Sequence, residues 1–331
     1  MMIIVGFAIY KNAETQQRHS ISRWNVTENL IEARRSHAAT AANGFIYTIG
    51  GLDNNDRYIS ETEYSQIRSN GALKQWQSTS ALLQPRFYLA ASNYQKRVYA
   101  IGGAIGELGK NNLPVATVES APILADGRLG EWRREADMLT PRRALTVERY
   151  KNWIYAIGGY NGIFLKSIER AKIEDDGRIT QWQLISEHAQ VDRYIHSSAL
   201  IQNTLFLLGG HVEKDDKLSY GDVELAHINH EGDLSPWQIA PVSLSQARFL
   251  AQAVGVNNTL FMIGGHDGTR RLKTVEYAHF DDIKELTSWR PSANLKIERS
   301  AAASAEYNGF IYMIGGSGTT TLNSVEYATP F

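Results

Sequence analysis

The chain has 331 residues, with 34 basic and 35 acidic side chains and a formal net charge of -1, so no field gathers nucleic acid or an anionic membrane. The absence of cysteine excludes a disulfide framework, a thiolate metal site and a thiol nucleophile. Hydrophobic residues at 43% beside 21% charged ones describe a globular chain, and no apolar run reaches the ~18 residues that a membrane span requires.

The N-terminal stretch MMIIVGFAIY is apolar, but no Lys or Arg precedes it and no small-x-small cleavage site follows. It reads as part of a mature cytoplasmic protein. The alternative, a targeting remnant, would make the protein secreted or periplasmic.

From Phe45 onward one pattern recurs. FIYTIGG, RVYAIGG, WIYAIGG, TLFLLGG, TLFMIGG and FIYMIGG begin at Phe45, Arg97, Trp153, Thr204, Thr259 and Phe310. Sixteen residues before the first glycine of each pair stands an arginine: Arg34, Arg86, Arg142, Arg193, Arg248 and Arg299. After each pair and a variable gap comes a glutamate in a VEYA-like segment: Glu63, Glu119, Glu169, Glu224, Glu276 and Glu326. The first five of these lie thirteen residues before Trp76, Trp132, Trp182, Trp237 and Trp289.

Fixed spacings mark paired strands and the variable gap marks a loop. Each unit therefore reads as a strand near Arg, a turn such as Asn43-Gly44 or Asn308-Gly309, a strand ending in Gly-Gly, the variable loop, the Glu strand, a second turn and the Trp strand. Asn70-Gly71, Asp126-Gly127 and Asp176-Gly177 supply positive φ at the second turn. Asp281-Asp282-Ile283 departs from that chemistry.

A period near 50 residues, four antiparallel strands per unit and a double glycine closely resemble kelch repeats across nearly the whole chain. The resemblance implies an all-β fold, a six-bladed kelch-type β-propeller. Its blades would run over about 34–77, 86–133, 142–183, 193–238, 248–290 and 299–329, within a single domain over 1–331. Trp24 lies ten residues before Arg34, as Trp76 does before Arg86, so residues 20–25 are expected to close the ring as the outer strand of blade six. Residues 9–24 also align loosely with 167–182, which implies a spare strand and leaves open which segment pairs last.

Features present in every blade serve what every blade needs, so the six Arg, Glu and Trp positions are read as structural. His37 and His196, three residues after their arginines, resemble a structural histidine of kelch repeats. The loops after Gly-Gly and before the repeated Arg share one face, and its non-repeating residues are the candidate ligand-binding set: Arg35, Phe87, Tyr88, Arg143, Tyr160, Asn161, Tyr194, His211, Phe249, His266, Asp267 and Arg270. Aromatic rings mixed with Arg and Asp suit a protein partner or a carbohydrate. His211 and His266, with Glu213 and Asp267, form an adequate metal-ligand set, but equivalent places in adjacent blades are far apart, so no metal or cofactor is assigned.

No P-loop, GxSxG or HExxH motif occurs. The resemblance is to bacterial, free-standing kelch proteins, and kelch propellers are mostly interaction modules. The chemistry of galactose oxidase, a related branch, needs a cysteine that this chain lacks. The expectation is a non-catalytic binding scaffold for a protein or carbohydrate, with a metal-free sugar mutarotase or epimerase resembling the sialic acid type as the alternative.

Overall fold

The computed structural model describes residues 20–211, 219–281 and 285–329. These form six four-stranded antiparallel sheets, a two-stranded ribbon of Ala104–Ile105 with Leu113–Pro114, and no helix. The innermost strands are Ala38–Ala42, Ala90–Tyr94, Thr146–Tyr150, Ser197–Ile201, Gln252–Val256 and Ala303–Tyr307. Each neighbours the next, and that of blade six lies beside that of blade one, so the ring is closed as a six-bladed β-propeller. Among the described residues no helix is long and apolar enough to cross a membrane.

Blade three shows the common plan. Thr146–Tyr150 pairs with Trp153–Ile157, which pairs with Ile168–Ile173, which pairs with Ile179–Leu184. In blade six the fourth strand comes from the other end of the chain: Asn25–Thr27 pairs with Val325–Ala328, with Asn25 opposite Tyr327. The paired residues lie slightly later than the expected segment. Ile21 and Trp24 are spent on packing against blade five, where the Trp24 indole N–H donates to Ala293 O at 3.0 Å. The spare-strand segment 9–19 and the turn residues Asp282 and Ile283 lie outside the described residues.

The core sits between blades. Tyr155, Ile157 and Ile168 of blade three close on Leu205, Leu207 and Trp237 of blade four. A buried Trp removes on the order of 200 Å² from water, worth about 5 kcal/mol at ~25 cal/mol per Å². Trp76, Trp132 and Trp182 donate their indole N–H groups to carbonyls of the preceding blade.

The repeated Arg and Glu form a buried staple. The Arg142 guanidinium donates to Gly158 O at 2.9 Å, Ser167 O at 2.8 Å and Glu169 Oε1 at 2.9 Å. Glu169 in turn accepts the amides of Leu139 and Thr140, at 2.6 and 3.0 Å. One ion pair thus ties the Gly-Gly strand, the Glu strand and the loop that enters the blade.

Gly209 and Gly210 show why the double glycine is needed. The Gly210 N–H donates to Arg248 O of the next blade at 2.9 Å, and a Cβ on Gly209 would stand 2.4 Å from that same oxygen. Gly209 also has φ of 60°, where side chains are strained. The glycines let two blades meet through the backbone.

Candidate functional site

Six antiparallel bridges join the residue after each repeated Arg to the residue after its glycine pair: Arg35 to Leu52, Phe87 to Ala104, Arg143 to Tyr160, Tyr194 to His211, Phe249 to His266 and Ser300 to Ser317. The two sets of loops therefore meet around one end of the channel. One residue further in, Ser36, Tyr88, Ala144, Ile195, Leu250 and Ala301 all take φ near +50°. Such a conformation costs on the order of 1 kcal/mol or more for a non-glycine residue. Amide bonds between blades offset it: Ser36 donates to Ala301, Tyr88 to Ser36, Ala144 to Tyr88, Leu250 to Ile195 and Ala301 to Leu250, at 2.7 to 3.0 Å. These residues form the neck of the channel.

The face above the neck is not six-fold. On blades three to five a run of rings extends from Tyr160 through Tyr194, Phe164, His211 and Phe249 to His266, with centroid separations of 5.2 to 6.2 Å. The Phe164 and Tyr194 rings stack at 5.7 Å with an interplanar angle of 12°. Arg143 lies over Tyr160 at 4.8 Å and Tyr194 at 5.9 Å. No carboxylate lies within ion-pair distance of it among the described residues, and its Nε is buried without a partner. Burial pushes the Tyr194 phenol up to about 12, and Arg143 opposes that rise.

Blades six and one present a polar half. Arg35 is spent there: it pairs with Asp56 and donates to Asp53 O at 2.7 Å and Thr321 Oγ1 at 3.1 Å. Phe87 is 3% exposed, sealed against Leu52 and Ala104, so it is a floor under Tyr88 rather than a contact surface. Asp267 accepts from Thr269, Arg270 and Gln246, and these bonds, led by the Arg270 amide, hold its carboxyl well below the usual range. Arg270 and Asn161 are exposed, at the outer part of the face.

The structure thus brings together Tyr88, Arg143, Tyr160, Tyr194, His211, Phe249 and His266, and leaves Arg35, Phe87, Asp267 and Arg270 engaged elsewhere or apart. The Phe249 ring stands between His211 and His266, 5.6 and 5.2 Å from their centroids. Glu213 lies outside the described residues, and among those described no cluster of three metal-ligating side chains occurs.

Three residues of interest were not among those expected from sequence. Phe164 and Ile163, the latter 68% exposed, lie in the variable loop of blade three. The apolar pair in YNGIFLKS is the signal that could have found them. Glu148 lines the channel below the neck, where the same register carries Thr40, Ser92, Ala199, Val254 and Ala305 in the other blades. A carboxylate six residues after the repeated Arg in one blade alone is legible once the strands are aligned. Burial pushes Glu148 up to about 7 against the Ser198 hydroxyl, which donates to Oε1 at 2.7 Å.

No family model matches the chain. It is 26% identical to the Kelch repeat protein M-T8 of Myxoma virus over 187 residues, 56% of this chain and 34% of that protein. It is 30% identical to Kelch-like protein 35 of Mus musculus over 128 residues, 39% of this chain and 20% of that one. Alpha-scruin of Limulus polyphemus matches at 22% over 256 residues, 76% of this chain and 27% of its own length. The chain therefore spans between 20% and 34% of these three relatives. Among solved structures, that of YjhT superposes with a TM-score of 0.72 at 14% identity, covering 90% of this chain and 95% of YjhT, a likeness of fold.

Proposed function

The chain is a kelch-repeat six-bladed β-propeller, and we propose that it is a non-catalytic scaffold that holds an acidic segment of a protein partner against the aromatic half of its Gly-Gly face. Arg143 carries the reading. A guanidinium with no carboxylate partner among the described residues, set over Tyr160 and Tyr194, is poised to take an Asp or Glu side chain in a charge-assisted pair. Around it Tyr88, Phe164 and the exposed Ile163 supply apolar area at low entropic cost, the composition of an interface centre. Kelch propellers are typically protein-binding scaffolds, which supports the same reading.

Sugar isomerisation would need an acid and a base facing one substrate. Glu148 is a part-buried carboxylate shifted toward neutrality, and Arg143 is not among the residues that line its cavity, so binding is the better supported of the two.

A displayed random-peptide library selected on the immobilised full chain tests this. Enrichment of Asp- and Glu-containing peptides that lose about thirtyfold in affinity on Arg143→Ala, with the melting temperature unchanged, is the expected result; that factor corresponds to about 2 kcal/mol. Peptides that bind Arg143→Ala as well as the native chain would overturn the reading. So would a response confined to a panel of acidic and neutral sugars, which would make the face a glycan site.

A further inference from the structure

The seam between blades three and four lacks two backbone hydrogen bonds that the other seams make. At the neck, the backbone hydrogen bond that would run from Ile195 N–H to Ala144 O is not formed, although its counterparts at the other seams are. One layer out, the second glycine of each pair donates to the carbonyl of the next repeated Arg, as Gly51 does to Arg86 and Gly103 to Arg142; Gly159 makes no such bond to Arg193. At the periphery the Trp237 indole N–H is buried without a partner, as is that of Trp289, where Trp24, Trp76, Trp132 and Trp182 reach a carbonyl of the preceding blade. The far end of the same seam is held: Tyr155 Oη donates to Gly232 O at 2.8 Å, and Arg170 pairs with Asp233 at 2.6 Å. Toward the Gly-Gly face side chains take over from the missing backbone bonds: Thr146 Oγ1 lies 3.2 Å from His196 Nε2, and the Phe164 and Tyr194 rings stack.

Below the gap, four residues along from Ala144 and three along from Ile195, stand Glu148 and Ser198. They line a channel cavity of about 250 Å³, the space of about eight waters at ~30 Å³ each. Its titratable lining groups are Glu148, His37, His196 and Tyr88. Burial holds both histidines neutral and raises Tyr88, so nothing in the lining offsets an ionised Glu148. Arg149, its chain neighbour, donates to Lys151 O and lies over Tyr94.

We propose that this cavity is a second binding site, for a small organic cation of the primary-ammonium type, whose N–H groups pair with the Glu148 carboxylate and the hydroxyls of Ser198 and Thr146. A part-buried carboxylate with only a neutral partner is disfavoured in its ionised form, and a bound ammonium offsets that penalty. The methyl groups of Ala39, Ala91 and Ala253 face the same space and suit an alkyl stem. They do not suit a hydrated metal ion, and the described residues hold no cluster of three metal-ligating side chains. The site rests on Glu148, Ser198 and Thr146, none of which the Gly-Gly face reading uses, so it would survive the failure of that reading, although Tyr88 borders both.

Methylammonium chloride, compared with potassium chloride at equal ionic strength, is the probe. In the full chain with carboxyl-labelled Glu, carbon NMR follows the Glu148 titration. Methylammonium is expected to lower its midpoint by about one pH unit or more, a tenfold preference for the ionised form, while potassium leaves it in place. The thermal stabilisation by methylammonium should vanish in Glu148→Gln and weaken in Ser198→Ala. An unmoved midpoint, or an equal shift in potassium, would overturn the proposal. If Glu148→Gln does not fold, the titration of the native chain decides alone.

Discussion

Arg142 Nη2 and Glu169 Oε1 stand 2.9 Å apart with neither side chain reached by solvent, and the same pair recurs in every blade at 2.6 to 2.9 Å. Burial lowers the Arg142 guanidinium, and the pairing with Glu169 opposes that shift. Each half of the pair exists to neutralise the other and to hold backbone groups.

Removing one partner leaves the other buried and unpaired. Glu169→Ala should therefore lower the unfolding free energy by about 3 to 5 kcal/mol in urea denaturation. A loss below about 1 kcal/mol would show that water reaches the site and that the staple is not what holds the loop.

Gly209→Ala should cost about 1 to 3 kcal/mol, from the positive φ and from the clash with Arg248 O. Gly162→Ala serves as the comparison, since it has φ of 114° but open space around its Cβ position. Equal losses in the two variants would assign the whole effect to backbone conformation and none to the meeting of blades.

Glu148 gives a pH dependence whose sign is fixed by its raised value. The folded state binds the proton more tightly than the unfolded chain, so the contribution is full below the usual 4.5 and is lost as the pH rises through about 7. The shift corresponds to about 3 kcal/mol. Stability of the native chain relative to Glu148→Gln should fall across that window, and a flat difference would contradict the burial of the carboxylate.

His196 acts in the opposite direction. Burial, aided by Arg193, lowers it to about 3, so its contribution is present above the usual 6.5 and is lost as the pH falls toward 3. Leu89 and Leu145 occupy the equivalent place in other blades, packed against Gly50 and Gly102 as His196 is against Gly158. His196→Leu should thus remove part of the acid sensitivity, about 5 kcal/mol at its limit, read as the difference in unfolding free energy between pH 7 and pH 4. An unchanged acid profile would contradict a histidine held neutral.

The repeat was readable because its spacing is set by backbone pairing: the Arg-to-Gly-Gly interval is the length of one hairpin, and the ten residues from Trp24 to Arg34 pointed to a strand near residue 25 in the last blade. The common face followed from strand direction. Other features had no signal. The neck residues take positive φ with Ser, Tyr, Ala, Ile and Leu, none of which announces that conformation. Whether an exposed-looking side chain is free depends on partners in other loops: Arg35 is neutralised by Asp56 and Phe87 is sealed by Leu52, while Arg143, at the equivalent position, has no acid beside it among the described residues. The two backbone bonds missing between blades three and four leave no mark in the residue types that would make them.

Hydrogen exchange of the full chain, with and without the tightest peptide from the library selection, tests the central claim most directly. Binding at the aromatic half of the Gly-Gly face predicts protection concentrated in residues 160–164 and 193–195 and around Phe249, and lost together with affinity in Arg143→Ala. Protection confined to the outer strands, or to the turns at the opposite end such as 126–127 and 176–177, would contradict it.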